Sequence, residues 1–350
     1  MKGWLRFLVP FGVAALLLSA LVAPAAADAT GPVLVQTIKV PGTPGRFDLM
    51  PIDPVAHLMY ISDGSNQTLD VLDLTSGSFV AQIPGLPNKT SKTGAITGAN
   101  GVAIASDLKK VFVADEVDNS VHVYDTATNT QTAVVPTTQD GADSVSYDPV
   151  DRKVYVSNGG SGTITVLDAT SNKVLTQISL PGSPEISIWD PFDHTIRQNL
   201  SDTNQQAVID PKTDKIMYVF NLVPGCTPHG LGINPANQHM IVGCKKQMTV
   251  TMDGGDGSLL SMTRHVGGSD LSDYDPFDNH FYTASSDFKQ GPVVGVFDAT
   301  TNDWIMNVAL PKDTGSGAHS LVVDPSTGKI YVLGQKTGTI FVFAPASSAK

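Results

Sequence analysis

The sequence predicts an all-β fold: a seven-bladed β-propeller of four-stranded blades, its ring closed by an N-terminal strand that pairs into the last blade. Three observations predict it. A unit of roughly 43 residues recurs seven times, which is the period of a propeller blade. Each unit is a set of short runs rich in β-branched and aromatic residues, cut by Asp, Pro, Gly and Asn turns. The last unit lacks its fourth run, and a matching run stands at the other end of the chain.

The units align on FDLMPIDPVAHLMYISD, NGVAIASDLKKVFVAD, DSVSYDPVDRKVYVSN, EISIWDPFDHTIRQNL, HGLGINPANQHMIVGC, DLSDYDPFDNHFYTAS and HSLVVDPSTGKIYVLG. Their opening residues, Asp48, Asn100, Asp143, Glu185, His229, Asp270 and His319, are spaced 52, 43, 42, 44, 41 and 49 apart. The first long gap holds the polar insertion LPNKTSKTGAITGA, and the second the loops SSDFKQGP and KDTGSG. A β-sandwich would not repeat so regularly, and a β-helix needs a much shorter period.

After SLVV, KIYVL and TIFVFA the chain ends in the tail ASSAK, with no fourth run. The N-terminal GPVLVQTIKVPG matches the fourth run of the third unit, KVLTQISLPG. Residues 33–40 are therefore expected to form the outer strand of the last blade, beside 339–344, leaving no seam in the ring. Asp73, Asp125, Asp168, Asp210 and Asp298 fall at the ends of third strands, and Asp53, Asp148, Asp190, Asp275 and Asp324 open the turns between first and second strands. Side-chain capping of turns accounts for both sets better than an array of calcium sites.

Before the repeats, MKGWLR, the apolar run FLVPFGVAALLLSALVA and ADA at 27–29 read as a secretory signal over residues 1–29, with an uncut anchor as the alternative. The expected organisation is a signal at 1–29, one propeller at 30–345 and a tail at 346–350, in an exported protein, periplasmic or secreted. No later segment is apolar for long enough to span a membrane. Loss of Lys2, Arg6 and Asp28 would take the net charge from −11 to −12, which repels phosphate backbones and attracts cations. Nucleic acid is thus disfavoured as a partner; a small molecule or a protein is expected, and a monomer. Cys226 and Cys244, the two cysteines of the chain, lie at the same end of one predicted hairpin and are expected to pair in an oxidising compartment.

In a propeller the first strands line the central channel, so the seven opening residues should gather at one mouth. All seven are polar, and four are carboxylates. Hydration of a wet channel would explain polarity alone. Four converging carboxylates, however, require raised pKa values or a compensating cation. His229, Asp270 and His319 form an arc suited to a transition metal; Asp48, Asn100, Asp143 and Glu185 form one suited to calcium. A divalent metal is the one cofactor expected. Loops after the second strands should share this face and offer Asp63, Glu116, Asp118, Asn158, Asn199, Lys245, Lys246, Ser285 and Asp287. Lys245, beside Lys246, is the expected contact for an anionic ligand group. The sequence contains no G-x-S-x-G, H-E-x-x-H, C-x-x-C-H or phosphate-binding glycine loop, and GGSGT at 159–163 reads as a hairpin loop.

YVSN at 155–158, with YISD, FVAD and YVLG at matching places, resembles the YVTN-repeat proteins, and with the export signal the YncE-type periplasmic members. The resemblance implies a seven-bladed propeller and says little about activity. Three functions are weighed: binding of a small ligand at the mouth, through a divalent metal or without one; lactone hydrolysis; and a protein-interaction scaffold that uses the loop at 84–97. Similarity to propeller lactonases would make Glu185, Asn100 and the mouth aspartates metal ligands, with a ring histidine moving protons. The two histidines in the ring depart from that pattern.

Overall fold

The computed structural model describes residues 1, 31–286, 291–311 and 318–345. The expected signal peptide, the tail at 346–350 and the loop stretches at 287–290 and 312–317 lie outside the described residues. Seven four-stranded antiparallel sheets follow one another from residue 33 to 344. Their innermost strands are Ile52–Asp53, Ala99–Ala105, Ala142–Asp148, Pro184–Asp190, Pro228–Ile233, Ser272–Asp275 and Leu321–Asp324. From blade two to blade seven each innermost strand packs beside the next; Ala99–Ala105 meets Leu58–Asp63 of blade one and Leu321–Asp324 meets Ile52–Asp53, so the ring closes. The seven-bladed propeller is the architecture the repeats predict. Among the described residues no helix is long and apolar enough to cross a membrane.

Each strand's composition follows from its place in the blade. Second and third strands are sandwiched by neighbouring blades and are buried on both faces, as in Lys153–Asn158 and Thr163–Asp168. Outer strands alternate between exposed and half-buried positions, as in Thr130–Pro136. Between blades the contact is aliphatic and aromatic: Phe112, Val121 and Val123 of blade two pack with Val145, Val154 and Val156 of blade three.

Ring closure uses the N-terminal strand. Val33–Lys39 pairs antiparallel with Thr339–Ala344, from Val33 opposite Ala344 to Lys39 opposite Thr339. A register shift falls between Leu34 and Gln36. The outer strands of the other six blades carry the same single-residue shift. The strand from the far end of the chain is thus built like the outer strands that follow directly on their own blades. Lys39 locks its end, donating from Nζ to Thr339 Oγ1 at 2.6 Å and Thr337 O at 3.1 Å.

The turn aspartates act as expected. Asp73 Oδ1 accepts from Thr75 N at 2.8 Å and Ser76 N at 2.9 Å, and Asp148 Oδ1 from Val150 N at 2.8 Å. The left-handed position closing these turns is Gly77 after Asp73 and Arg152 after Asp148, with φ of 67° and 52°. One core substitution breaks the repeat. Where other blades place Tyr60, Phe112, Tyr155, Ile241, Tyr282 and Tyr331, all apolar or aromatic, blade four has fully buried Arg197. Its guanidinium donates to Asp190 at 3.0 Å, to Asp193 at 2.6 Å and to Gly254 O at 2.9 Å, so the buried charge is fully paired.

A polar pair joins the second and third strands of blades one and three at one equivalent position. In blade three Asn158 Nδ2 donates to Thr165 Oγ1 at 3.0 Å. In blade one both members are carboxylates, Asp63 and Asp70, hydrogen-bonded to each other. Burial, together with the Asp63 charge, raises Asp70 to about 7. A raised acid holds its proton in the folded state and releases it in the unfolded one. Stability is therefore lost as pH rises from about 4, the unfolded value, to about 7. Asp70→Asn is expected to remove that fall, giving a urea midpoint above the parent's at pH 8 but not at pH 4.

Cys226 and Cys244 form the predicted disulfide, Cα to Cα 4.7 Å, closing a loop with a sequence separation of 18. It ties the entry of the first strand of blade five to the exit of its second strand. Replacing both cysteines by serine should lower stability by about 3 kcal/mol, the loop-closure value for this span, measured as a shifted urea midpoint. An unchanged midpoint would show that the loop is held by its packing alone.

Candidate functional site

The residues at the mouth are aimed inward by a repeated backbone irregularity. In blades two to five, three residues of the first strand span two of its partner: Ala99 to Val102, Ala142 to Val145, Pro184 to Ser187 and Pro228 to Leu231. Each bulge contains the opening residue, Asn100, Asp143, Glu185 or His229. A bulge twists the strand and re-aims a side chain; here it turns polar groups toward the channel axis. Close approach of the blades requires the small residue that follows Asn100. A Cβ on Gly101 would lie 2.1 Å from Asp143 O. In the remaining blades the residue precedes a shorter strand, and Asp270 N donates to His319 O of the next blade at 3.0 Å.

Asp48, Asn100, Asp143, Glu185, His229 and Asp270 line one cavity of about 400 Å³, with Arg46, Glu116 and Lys245. A smaller cavity of about 150 Å³ joins His229, Lys245 and Asp270 to His319, the seventh opening residue. Below the polar tier the channel is mainly apolar, walled by Leu49, Val145, Ile186, Leu231, Leu271 and Leu321, with Ser144, Ser187, Ser272 and Asp273 between them, in a further cavity of about 190 Å³. The repeat thus places a polar residue at the rim and an aliphatic one or two positions deeper, on most blades.

Of the loops after the second strands, Glu116, Gly159, Gly160 and Lys245 reach the main cavity. Others expected there are drawn into the walls. Asn199 is buried and donates to His229 O at 3.1 Å and Gly230 O at 3.2 Å, holding the blade-five bulge. Ser285 donates to Gly267 O, and Asn66 donates through its backbone and amide to Asp63. Asn158 caps its own hairpin, and Asp118 pairs with His122 at 3.1 Å. These side chains bond to backbone or neighbouring strands because their positions fall between blades, out of reach of the channel. Lys246 does not line the cavity, and Asp287 lies outside the described residues.

Arg46 is the mouth residue that the repeat alignment passed over. Its Nη2 lies 3.1 Å from Asp48 Oδ2 and 3.8 Å from Glu116 Oε1, and donates to Asn100 Oδ1. Its signal was available: two residues before Asp48, on extended chain, a side chain points to the same side. Asp48 raises the Arg46 pKa against the opposing effect of burial. Burial in turn lifts Asp48 above the usual carboxylate range despite Arg46. Asp143 is raised well above it, by burial and then by the charges of Asp48 and Glu185. Arg46 thus offsets part of the repulsion among the mouth carboxylates, and the remainder adds to burial in raising Asp48 and Asp143.

His319 Nδ1 lies 2.8 Å from Asp270 Oδ2, and His229 Nε2 lies 3.5 Å from Glu185 Oε1. The arc of His229, Asp270 and His319 is therefore divided as the side chains stand: His319 and Asp270 are paired, and His229 approaches Glu185 beyond hydrogen-bond contact. Among the described residues no three His, Cys, Asp or Glu side chains converge to hold a metal ion. Burial opposes the charged form of His319, but the hydrogen bond and charge of Asp270 outweigh it and raise His319 to about 9. Burial also opposes ionisation of Asp270, and the same partner more than offsets it.

The fold and the mouth define the class: a seven-bladed β-propeller whose central channel opens through a ring of polar residues, one from each blade. No protein-family model and no curated protein matches the chain.

A raised histidine adds stability that is full below its unfolded pKa of about 6.5 and is lost as pH rises through about 9. His319→Gln should therefore lower the urea midpoint at pH 6.5 and change it little at pH 10. Equal losses at both values would mean that packing, not charge, holds His319 in place.

Proposed function

We propose that this chain is an exported β-propeller that binds a small polar ligand at the mouth of its channel. The observation carrying this reading is the convergence of one polar residue from every blade on adjoining cavities. The larger has a volume of about 400 Å³, within the range of small-molecule sites. Solvation alone does not require four of those residues to be held in bulges. Nor does it favour keeping Asp48 buried and Asp143 half-buried at a cost to their ionised forms. The secretory pattern at 1–29 supports export, and the Cys226–Cys244 bond suits an oxidising compartment. A divalent metal at the arc of His229, Asp270 and His319 would have to part the His319–Asp270 pair. Metal content of the protein purified without chelator tests that point directly.

The ligand reading is tested by thermal-shift screening against a panel of small polar compounds: amines, amino acids, hydroxy acids, lactones and sugars. A ligand at one hundred times its Kd should stabilise by about 2.7 kcal/mol. The shift is expected to vanish in Asn100→Ala, whose side chain is 4% exposed and faces the cavity. A panel without a hit, or hits unaffected by Asn100→Ala, would sink the reading and leave a scaffold role for the propeller.

A further inference from the structure

Pairing off the charges at the mouth leaves three groups unmatched. Arg46 is taken by Asp48, Glu116 and Asn100, and His319 by Asp270. The Asp143 carboxylate makes no hydrogen bond or ion pair among the described residues and is influenced only by burial and neighbouring charges. Glu185, one blade on, has only the His229 ring at 3.5 Å. Lys245 lines both mouth cavities and forms no ion pair among the described residues. A fourth group faces the same space. Asn100 is 4% exposed, its Oδ1 accepts from Arg46, and its amide Nδ2 has no hydrogen-bond partner among the described residues.

These groups are arranged by sign. Asp143 and Glu185 stand on blades three and four, and Lys245 on blade five. Above Asp143 the cavity wall is Gly159 and Gly160, which put no side chain into the space that Glu116 occupies on blade two. A bare dication would satisfy the two carboxylates but be repelled by Arg46 and Lys245; a simple anion would meet the reverse. Deepening the ligand reading, and resting on it, we infer that the mouth takes a small zwitterion, its ammonium against Asp143 and Glu185 and its carboxylate on Lys245. Such a molecule completes both unpaired sets at once, with charge-assisted hydrogen bonds at each end. The Asn100 amide offers its free N–H to the same carboxylate or to a polar group between the two ends.

The test is calorimetric titration of the purified protein at pH 7 with the ω-amino acids from glycine to 6-aminohexanoate. Butylamine and butyrate serve as single-ended controls. At least one zwitterion is expected to bind about tenfold more tightly than either control. Asp143→Asn, which keeps the shape of the side chain, should weaken the zwitterion and butylamine but not butyrate. Lys245→Met should weaken the zwitterion but not butylamine; circular dichroism and melting curves verify that both variants fold. Zwitterions no tighter than the controls, or indifferent to both substitutions, would overturn the inference. If the series is silent while another compound of the wider panel binds in an Asn100-dependent way, this inference falls and the ligand reading stands. Silence in both removes both.

Discussion

Closure of the ring is the constraint on which the rest of the molecule depends. Seven twisted sheets can share one channel only if the last meets the first, and the last blade has three strands of its own. Pairing of Val33–Lys39 with Thr339–Ala344 supplies the fourth. It couples the two ends of the chain, so blade seven cannot fray without opening the contact with blade one. The mouth inherits this constraint, since the charges of His319 in the last blade and Asp48 in the first act on each other.

Within the closed ring, the mouth balances two opposing requirements. Bulges in the innermost strands turn side chains toward the axis, and those side chains are largely acidic. Convergence at short range makes full ionisation unfavourable. The chain relieves this in three ways: Arg46 neutralises one sector, His319 and Asp270 neutralise each other in another, and Asp143 holds its proton more strongly. The resulting field is uneven around the ring, and that unevenness supports recognition of a ligand with charges at both ends. The tier beneath, from Leu49 to Leu321, is mainly apolar, with Ser144, Ser187, Ser272 and Asp273 among its residues, and it disfavours a deeper seat for such a ligand because a charged end pushed there would lose most of its hydration.

Local order and local chemistry were written plainly in the sequence. The period of roughly 43 residues fixed seven blades, because each blade must present the same alternation of buried strands and tight turns. The aspartates before Pro, Thr or Ala set the turns, since one side-chain oxygen satisfies the backbone N–H groups two and three residues on. The unpaired fourth run identified its own partner by composition. Cys226 and Cys244 were legible as a bond because the hairpin places them at one end. The seven mouth positions followed from the same alignment, with no need of coordinates.

Only the tertiary structure decided which of those polar residues face one another, and which are spent on the walls. Asn158, Asn199 and Ser285 resemble mouth residues by position, yet they bond to neighbouring strands and loops, because the gap between twisted blades reaches them before the channel does. Arg46 belongs to no repeat position, and its partners Asn100 and Glu116 are 54 and 70 residues away in the chain. Charge pairing acts through space, and a one-dimensional pattern records the charges without their distances. The sequence by itself therefore determined the ring, the turns, the disulfide and the repeat positions that supply the mouth, Arg46 excepted. The fold alone determined that Arg46 and His319 are matched while Asp143, Glu185 and Lys245 are not, because that balance depends on packing seven sheets around a single axis.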